Sequence, residues 1–110
     1  MYKRQVSDSK GNLRNIPQNY QASNYTLVNS DGGKHILADG NITWIDGRHA
    51  AGDAVTIVNA TAGDITITKG TNMYNSADGT NANRTLASRG MATILWVSGT
   101  AAYISGAGLS

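Results

Sequence analysis

The sequence contains no cysteine and no glutamate, and it has a single proline. The missing cysteines exclude disulfide bonds, thiolate catalysis and zinc–thiolate sites. The chain also lacks any apolar stretch near the ~20 residues that a membrane-spanning helix requires, so no membrane span is predicted. Nine Lys and Arg residues against seven Asp give a formal net charge of only +2, and the basic residues are scattered. This balance does not indicate nucleic-acid binding.

Small and polar residues dominate what is present. Gly, Asn, Thr, Ser and Asp supply 51 of the 110 residues, and strong helix formers other than Ala are scarce. Short runs of β-branched and aromatic residues alternate with turn signals roughly every ten residues, and no internal repeat is visible. The pattern predicts an all-β fold, a β-sandwich or jelly-roll-like domain of about seven or eight short antiparallel strands with no substantial helix.

We divide the chain into three parts. Residues 1–5 read back into codons that match the end of a transposon adapter used in sequencing libraries, so we expect them to be an artefact of a metagenomic read. The natural protein is then expected to extend further towards its N-terminus. Residues 6–23 are polar and turn-rich, which predicts an extended arm or linker that packs on the domain or on a neighbouring chain. Residues 24–110 are predicted to form the single β-sandwich domain.

Local patterns within this domain give four predictions. The Asp39-Gly40 pair between two short runs is typical of a hairpin turn. Alternating Ile and Thr in 64–69 predicts a strand with one buried and one wet face. The polar stretch 70–84 predicts a long surface loop. The run 91–97 is apolar at nearly every position, which predicts a central strand buried on both faces.

The residues most often used for catalysis or metal binding form no recognisable set. His49 lies in a loop with Asp46 and Asp53, and this loop is interpreted either as a His/Asp site or as an exposed polar loop. The exposed loop is favoured, because one His and two Asp residues match no ligand spacing. Nucleophile-elbow, phosphate-loop and paired-carboxylate patterns are missing, and most Asp residues lie in turns. We therefore predict no catalytic residue, no metal site and no cofactor, and ion binding in the Asp-rich turns stays open.

Aromatic and basic residues are the candidates for surface contacts. Trp96 is flanked by aliphatic residues and is expected in the core. Trp44 fits either the core or an assembly face. Tyr74 lies in the predicted long loop and is the leading candidate for an exposed contact. Arg84 and Arg89 bracket a short segment and are expected to bond strand carbonyls or a neighbour's carboxylate.

A resemblance to a known family depends on the order of several motifs. They are Gly-Asn-Leu-Arg-Asn-Ile-Pro-Gln-Asn at 11–19, Asp-Gly-Gly-Lys-His-Ile at 31–36, Gly-Asp-Ala-Val-Thr-Ile-Val-Asn at 52–59, Asn-Arg-Thr-Leu-Ala at 83–87 and Ile-Ser-Gly-Ala-Gly-Leu at 104–109. Together they resemble a β-rich module of virion structural proteins of tailed bacteriophages, in tail fibres or on the capsid surface. The resemblance implies a non-enzymatic virion component made in the host bacterial cytoplasm.

Three functions remain open on the sequence. The first is a phage virion structural module that self-associates as a homotrimer or binds other virion proteins, and that contributes to host attachment. The second is a carbohydrate-binding module for host surface glycans, which needs at least two coplanar exposed aromatic residues; Tyr74 and Trp44 are available. The third is a hydrolase fragment such as a depolymerase tip, which needs convergent acids that the sequence does not place.

Overall fold

The computed structural model describes Ser7–Asp8, Gly11–Asn12 and residues 16–110. These residues contain eleven β-strands and one 3₁₀ turn at Asn29–Asp31. In chain order the strands are β1 (Ser7–Asp8), β2 (Gly11–Asn12), β3 (Gln18–Gln21), β4 (Tyr25–Thr26), β5 (His35–Ala38), β6 (Ile42–Thr43), β7 (Ala54–Asn59), β8 (Ile65–Thr68), β9 (Asn72–Asn75), β10 (Arg84–Ser98) and β11 (Ala101–Leu109). The prediction of an all-β fold without a substantial helix is confirmed.

From β3 to β8 the chain winds as a coil. Each winding of the coil adds one strand to each of two rows of strands. The first row holds β3, β5 and β7, and the second holds β4, β6 and β8; all neighbours within a row are parallel. Gln18 and His35 are aligned in the first row and lie 17 residues apart, as do Asn24 and Asn41 beside the second row. Parallel strands require a long crossover, and the strand in the opposite row provides part of it.

The long strand β10 joins the two rows. Its first residues pair antiparallel with β8, and its segment Met91 to Leu95 pairs antiparallel with β7. The chain bends between these segments at Arg89, which has a φ of 62° and is the sole non-glycine residue with positive φ in the described part of the chain. Strand β11 then returns along β10, and β9 adds to β11 in parallel. The sheet therefore comes close to closing on itself.

The apolar core lies between the two rows and is built from matched inward-facing side chains. Ile36 aligns with Ile57 in the first row, and Ile42 aligns with Ile67 in the second. All four are fully buried. Each such side chain contributes about 1.5–3 kcal/mol when removed from water. The predicted alternation along β8 is confirmed, since its Ile residues are buried and Thr66 between them is exposed.

Polar side chains cover this core at the first turn of the chain. Asn19 on β3 aligns with Ile36 on β5. It therefore places an amide at the position where the next strand of the row has an apolar side chain. Its Nδ2 donates to the Asp31 carboxylate at 2.9 Å, and the Tyr25 hydroxyl donates to the same carboxylate at 2.7 Å. Gln21 donates to the Asn19 side-chain oxygen at 2.8 Å. The four residues form a polar cap over the end of the apolar stack, a common device in stacked folds.

Two predictions about strand pairing are corrected by this topology. The strands are not uniformly antiparallel, because parallel winding is what aligns the Ile residues of successive turns. Asp39-Gly40 does not close a hairpin: it joins β5 to β6, but β5 pairs with β3 and β7, and β6 pairs with β4 and β8. A turn signal specifies a local change of direction, whereas the choice of partner depends on the burial of whole faces.

Two further expectations about segments also change. Strand β10 is not buried on both faces, since Met91, Leu95 and Val97 are 52%, 45% and 48% exposed. The predicted loop 70–84 contains β9, which pairs with β11. The described end of residues 6–23 contains β3, which belongs to the main sheet, so this part of the predicted arm packs on the domain, one of its two alternatives. The proposed artefact at residues 1–5 lies outside the described residues.

Candidate functional site

His49 is an interior residue, so the expectation of an exposed polar loop is wrong at this position. Its side chain is 5% exposed and stacks on Trp96, with ring centroids 3.9 Å apart. Burial lowers the pKa of His49, while the carboxylates of Asp53 and Asp31 act in the opposite direction. Among the described residues, neither ring nitrogen has a hydrogen-bond partner. The imidazole is therefore part of the packing and not an assembled acid–base pair.

The carboxylates of Asp46, in the predicted His/Asp loop, and of Asp78, after β9, each stabilise a turn. Asp46 accepts hydrogen bonds from the Thr71 backbone N–H at 2.9 Å and from the Thr71 hydroxyl. Asp78 accepts from the Thr80 hydroxyl and backbone N–H at 2.7 and 2.9 Å. These bonds lower the pKa of both carboxyl groups. Across the described ranges, no group of three or more His, Cys, Asp or Glu side chains is placed to hold a metal ion.

Arg84 and Arg89, the two arginines singled out from the sequence, hydrogen-bond to other groups of the same chain. Arg84 donates from Nε to the Ala82 carbonyl at 3.3 Å and from Nη2 to the Thr80 hydroxyl at 2.9 Å. Arg89 donates from Nη1 to the Ala60 carbonyl at 3.0 Å. Both arginines bond backbone carbonyls, but these carbonyls lie just outside the strands and not within them as expected.

The structure separates the two predicted contact residues. Trp44 is 1% exposed and its indole N–H points to the Met73 sulfur at 3.4 Å, so its interpretation as an assembly-face residue is wrong. Its ring fills the core, where it meets Trp96 edge-to-face. Tyr74 is partly exposed on β9 and packs against Tyr103 with ring centroids 5.3 Å apart. Tyr103 was not predicted, although its alternation with the apolar neighbours on either side marks it as outward-facing.

A broad surface connects Tyr74 and Tyr103 to four other strands. We define the outer face as the outward side chains of the neighbouring strands β3, β5, β7, β10, β11 and β9. Its centre is Thr93, which aligns with Thr56 on β7 and Ser105 on β11. The Thr56 and Thr93 hydroxyls lie 3.2 Å apart, as expected for side chains on one face.

The outer face carries no Asp, Lys or Arg. Its members, from β3 to β9, are Gln18, Tyr20, His35, Leu37, Ala54, Thr56, Val58, Met91, Thr93, Leu95, Val97, Ala101, Tyr103, Ser105, Ala107, Asn72 and Tyr74. The most exposed large hydrophobic members are Met91, Leu95 and Val97 on β10, Tyr103 on β11 and Tyr20 on β3, each between 45% and 52% exposed. Polar residues lie at the β3 side, where the His35 ring and the Gln18 amide are 3.0 Å apart.

A cleft of about 380 Å³ lies at the Gly32-Gly33 turn. Its charged lining residues are Lys34 and Asp53, and the rest of the lining is Pro17, small polar side chains and glycine. Asp53 is already engaged by the Ala50 N–H at 3.1 Å. None of the described residues that line the cleft is aromatic, so these residues offer no stacking wall for a sugar or a base. The outer face is the larger candidate site.

No protein-family model matches this chain, and no curated protein is significantly similar to it. Within the part of the chain that the structure describes, there is no helix with the length and apolar character that crossing a membrane would require.

Proposed function

We propose that this chain is a non-enzymatic structural module of a tailed-bacteriophage virion, in a tail fibre or on the capsid surface. The observation that carries the proposal is the outer face, a six-stranded, uncharged surface with exposed Met91, Leu95, Val97 and Tyr103. Exposed apolar patches of more than a few hundred Å² are rare on monomeric proteins and mark interaction sites. The motif order of the sequence supports a virion setting for such a contact module.

The use of the acidic residues also supports a structural role. A glycoside hydrolase needs a carboxylic acid whose pKa is raised so that it can donate a proton. Asp46 and Asp78 instead have lowered pKa values, because each accepts two hydrogen bonds from a threonine. Asp31 is held by the polar cap. These carboxylates stabilise local structure, which disfavours the hydrolase hypothesis.

The test is the genetic and physical context of the chain. Long-read sequencing of the DNA that encodes it is expected to reveal tail or capsid genes on either side. Mass spectrometry of phage particles purified from the same sample is expected to find peptides from residues 16–110. Flanking genes of cellular metabolism, together with peptides in cell extracts but not in particles, would contradict the proposal.

Carbohydrate binding is the second candidate, and the Tyr74–Tyr103 pair is the observation that favours it. The two rings are neighbours on the outer face and are tilted by 37°. A glycan array probed with the whole chain tests this function. Binding that is lost in Tyr103→Ala and retained in Tyr20→Ala, an exposed tyrosine on β3, would support it. Equal signals for both variants would contradict it.

A further inference from the structure

We infer that the outer face is buried against the same face of other copies of this chain. The inference rests on the proposed function, because it names the partner of the surface on which that proposal depends. It concerns the central strands β7, β10 and β11, whose outward side chains are Thr or Ser at the middle and apolar around it. Thr93 marks the middle, with Met91 and Leu95 two residues away on either side.

The size of the face fits a specific contact between two copies. Six strands at about 4.8 Å spacing give a width of about 24 Å, and the stretch from Met91 to Val97 gives a length of about 20 Å. Each copy therefore offers about 500 Å², so two copies together bury about 1,000 Å², the lower limit for a specific interface. A much smaller partner would leave part of the exposed apolar surface in water.

The charge pattern selects a copy of the chain over a charged partner. The outer face contains no Asp, Lys or Arg. A partner with charged groups would lose their hydration on this surface and find no opposite charge in return, which is strongly unfavourable. A second outer face carries the same uncharged side chains, and the Thr56 and Thr93 hydroxyls already bond each other. Two such surfaces can meet without leaving a buried charge unpaired.

The edge of the face has the character of an interface rim. At the β3 side, His35 contacts Gln18, and the Tyr20 hydroxyl donates to the Asp39 carboxylate at 2.5 Å. Specific interfaces have an apolar centre and a polar, solvated rim. Since identical subunits assemble with closed symmetry, the apolar centre is expected nearest the symmetry axis.

Cysteine cross-linking tests the inference directly, because the chain has no native cysteine. Thr93→Cys places a single thiol at the centre of the outer face. Thr66→Cys is the matched control, an exposed threonine on β8 in the second row. Mild oxidation of the full 110-residue chain is expected to give disulfide-linked dimers of Thr93→Cys and little of Thr66→Cys. Equal cross-linking of both variants, or none of Thr93→Cys, would overturn the inference.

Light scattering over a concentration series gives the second test. The full chain is expected to form a closed oligomer, and Leu95→Lys should raise the concentration of half-dissociation at least tenfold. Ile45→Lys is the control, since Ile45 is 42% exposed but lies outside the outer face. A monomer at millimolar concentration, or equal dissociation by both variants, overturns the inference. A dimer or a trimer supports it. Detection of the chain in particles decides the proposed function separately.

Discussion

His49 lies nearly parallel to Trp96 in the interior, with a ring-centroid distance of 3.9 Å and an interplanar angle of 20°. In the part of the chain that the structure describes, neither imidazole nitrogen nor the Trp96 indole nitrogen has a hydrogen-bond partner. A neutral imidazole is compatible with this apolar setting, but an imidazolium loses hydration there. Burial lowers the pKa of His49, and Arg48 acts in the same direction, against Asp53 and Asp31.

The fold is therefore expected to lose stability in mild acid. The unfolded chain binds a proton at His49 near the ordinary histidine pKa of about 6.5, whereas the folded chain resists protonation. The free energy of unfolding should be at its full value above about pH 6.5 and fall below it, by at most about 1.4 kcal/mol per pH unit for this one proton. Urea unfolding at a series of pH values measures the slope.

The matched variants for this prediction are His49→Phe and His35→Gln. The first keeps an aromatic ring on Trp96 and should remove the His49 part of the acid-induced loss. The second changes a histidine on the outer face and should leave that part unchanged. If His49→Phe retains the full slope, the stacked imidazole is not the cause of the acid sensitivity.

Asn59 connects the turn after β7 to the bend in β10. It is fully buried, and its Oδ1 accepts hydrogen bonds from the Thr61 backbone N–H and hydroxyl at 2.9 and 2.7 Å. Its Nδ2 lies 2.8–3.0 Å from three backbone carbonyl oxygens, those of Gly63, Leu86 and Ala87. The amide thus meets acceptors on one side and donors on the other.

Replacing this amide with a carboxylate should be strongly destabilising. Asn59→Asp places a buried negative charge against carbonyl oxygens, which is expected to lower the free energy of unfolding by about 3–5 kcal/mol. Asn83→Asp is the control, because Asn83 is exposed and uses its side-chain oxygen to accept the Lys69 N–H at 3.0 Å. Chemical unfolding at neutral pH compares the two. Losses of similar size would show that Asn59 does not have this role.

Gly106 is a position where the strand pairing excludes any side chain. A Cβ here would lie well under 3.0 Å from the Met91 carbonyl oxygen and the Ala92 Cα, both in the backbone of β10. Gly106→Ala is expected to cost about 3 kcal/mol or more, since a central strand would have to move. Gly63→Ala has open space around it and is expected to change stability by less than about 1 kcal/mol. Thermal unfolding of both variants distinguishes them.

The predictable part of this fold was the part set by local alternation. The Ile and Thr residues of β8 predict its buried and exposed faces because side chains alternate along any strand. Pairing partners were not predictable in the same way. Asp39-Gly40 looks like a hairpin turn. The strands on either side of it, β5 and β6, instead pair with β7 and β8, with which their buried Ile side chains align.

In the candidate site, too, local features could be predicted from the sequence and the pairing of distant strands could not. Tyr74 is partly exposed, but its partner Tyr103 lies 29 positions later in the chain and meets it through parallel pairing of β9 and β11. Trp44 was ambiguous because a tryptophan between Thr43 and Ile45 fits either a core or a surface. The outer face spans six strands from distant parts of the sequence, so only the sheet order brings its members together.

The polar cap yields the last prediction. Asp31 is 1% exposed and accepts hydrogen bonds from Asn19, the Tyr25 hydroxyl and the Val28 N–H. Asp31→Asn replaces one carboxylate oxygen, an acceptor, with an NH₂ group that faces these donors. This should lower the free energy of unfolding by about 1–3 kcal/mol. The pKa of Tyr25 is raised, first by burial and then by its bond to Asp31. In the variant, it should therefore fall towards the ordinary tyrosine value, which ultraviolet absorbance titration measures.

Asp64→Asn is the control for this change, because Asp64 is exposed in the turn before β8. It should leave both the free energy of unfolding and the Tyr25 titration close to those of the parent chain. The cap contributes through three donors to one buried carboxylate, so its loss should also expose the apolar end of the stack at Leu27 and Ile36. If Asp31→Asn is as stable as Asp64→Asn and Tyr25 titrates unchanged, the carboxylate does not organise the cap.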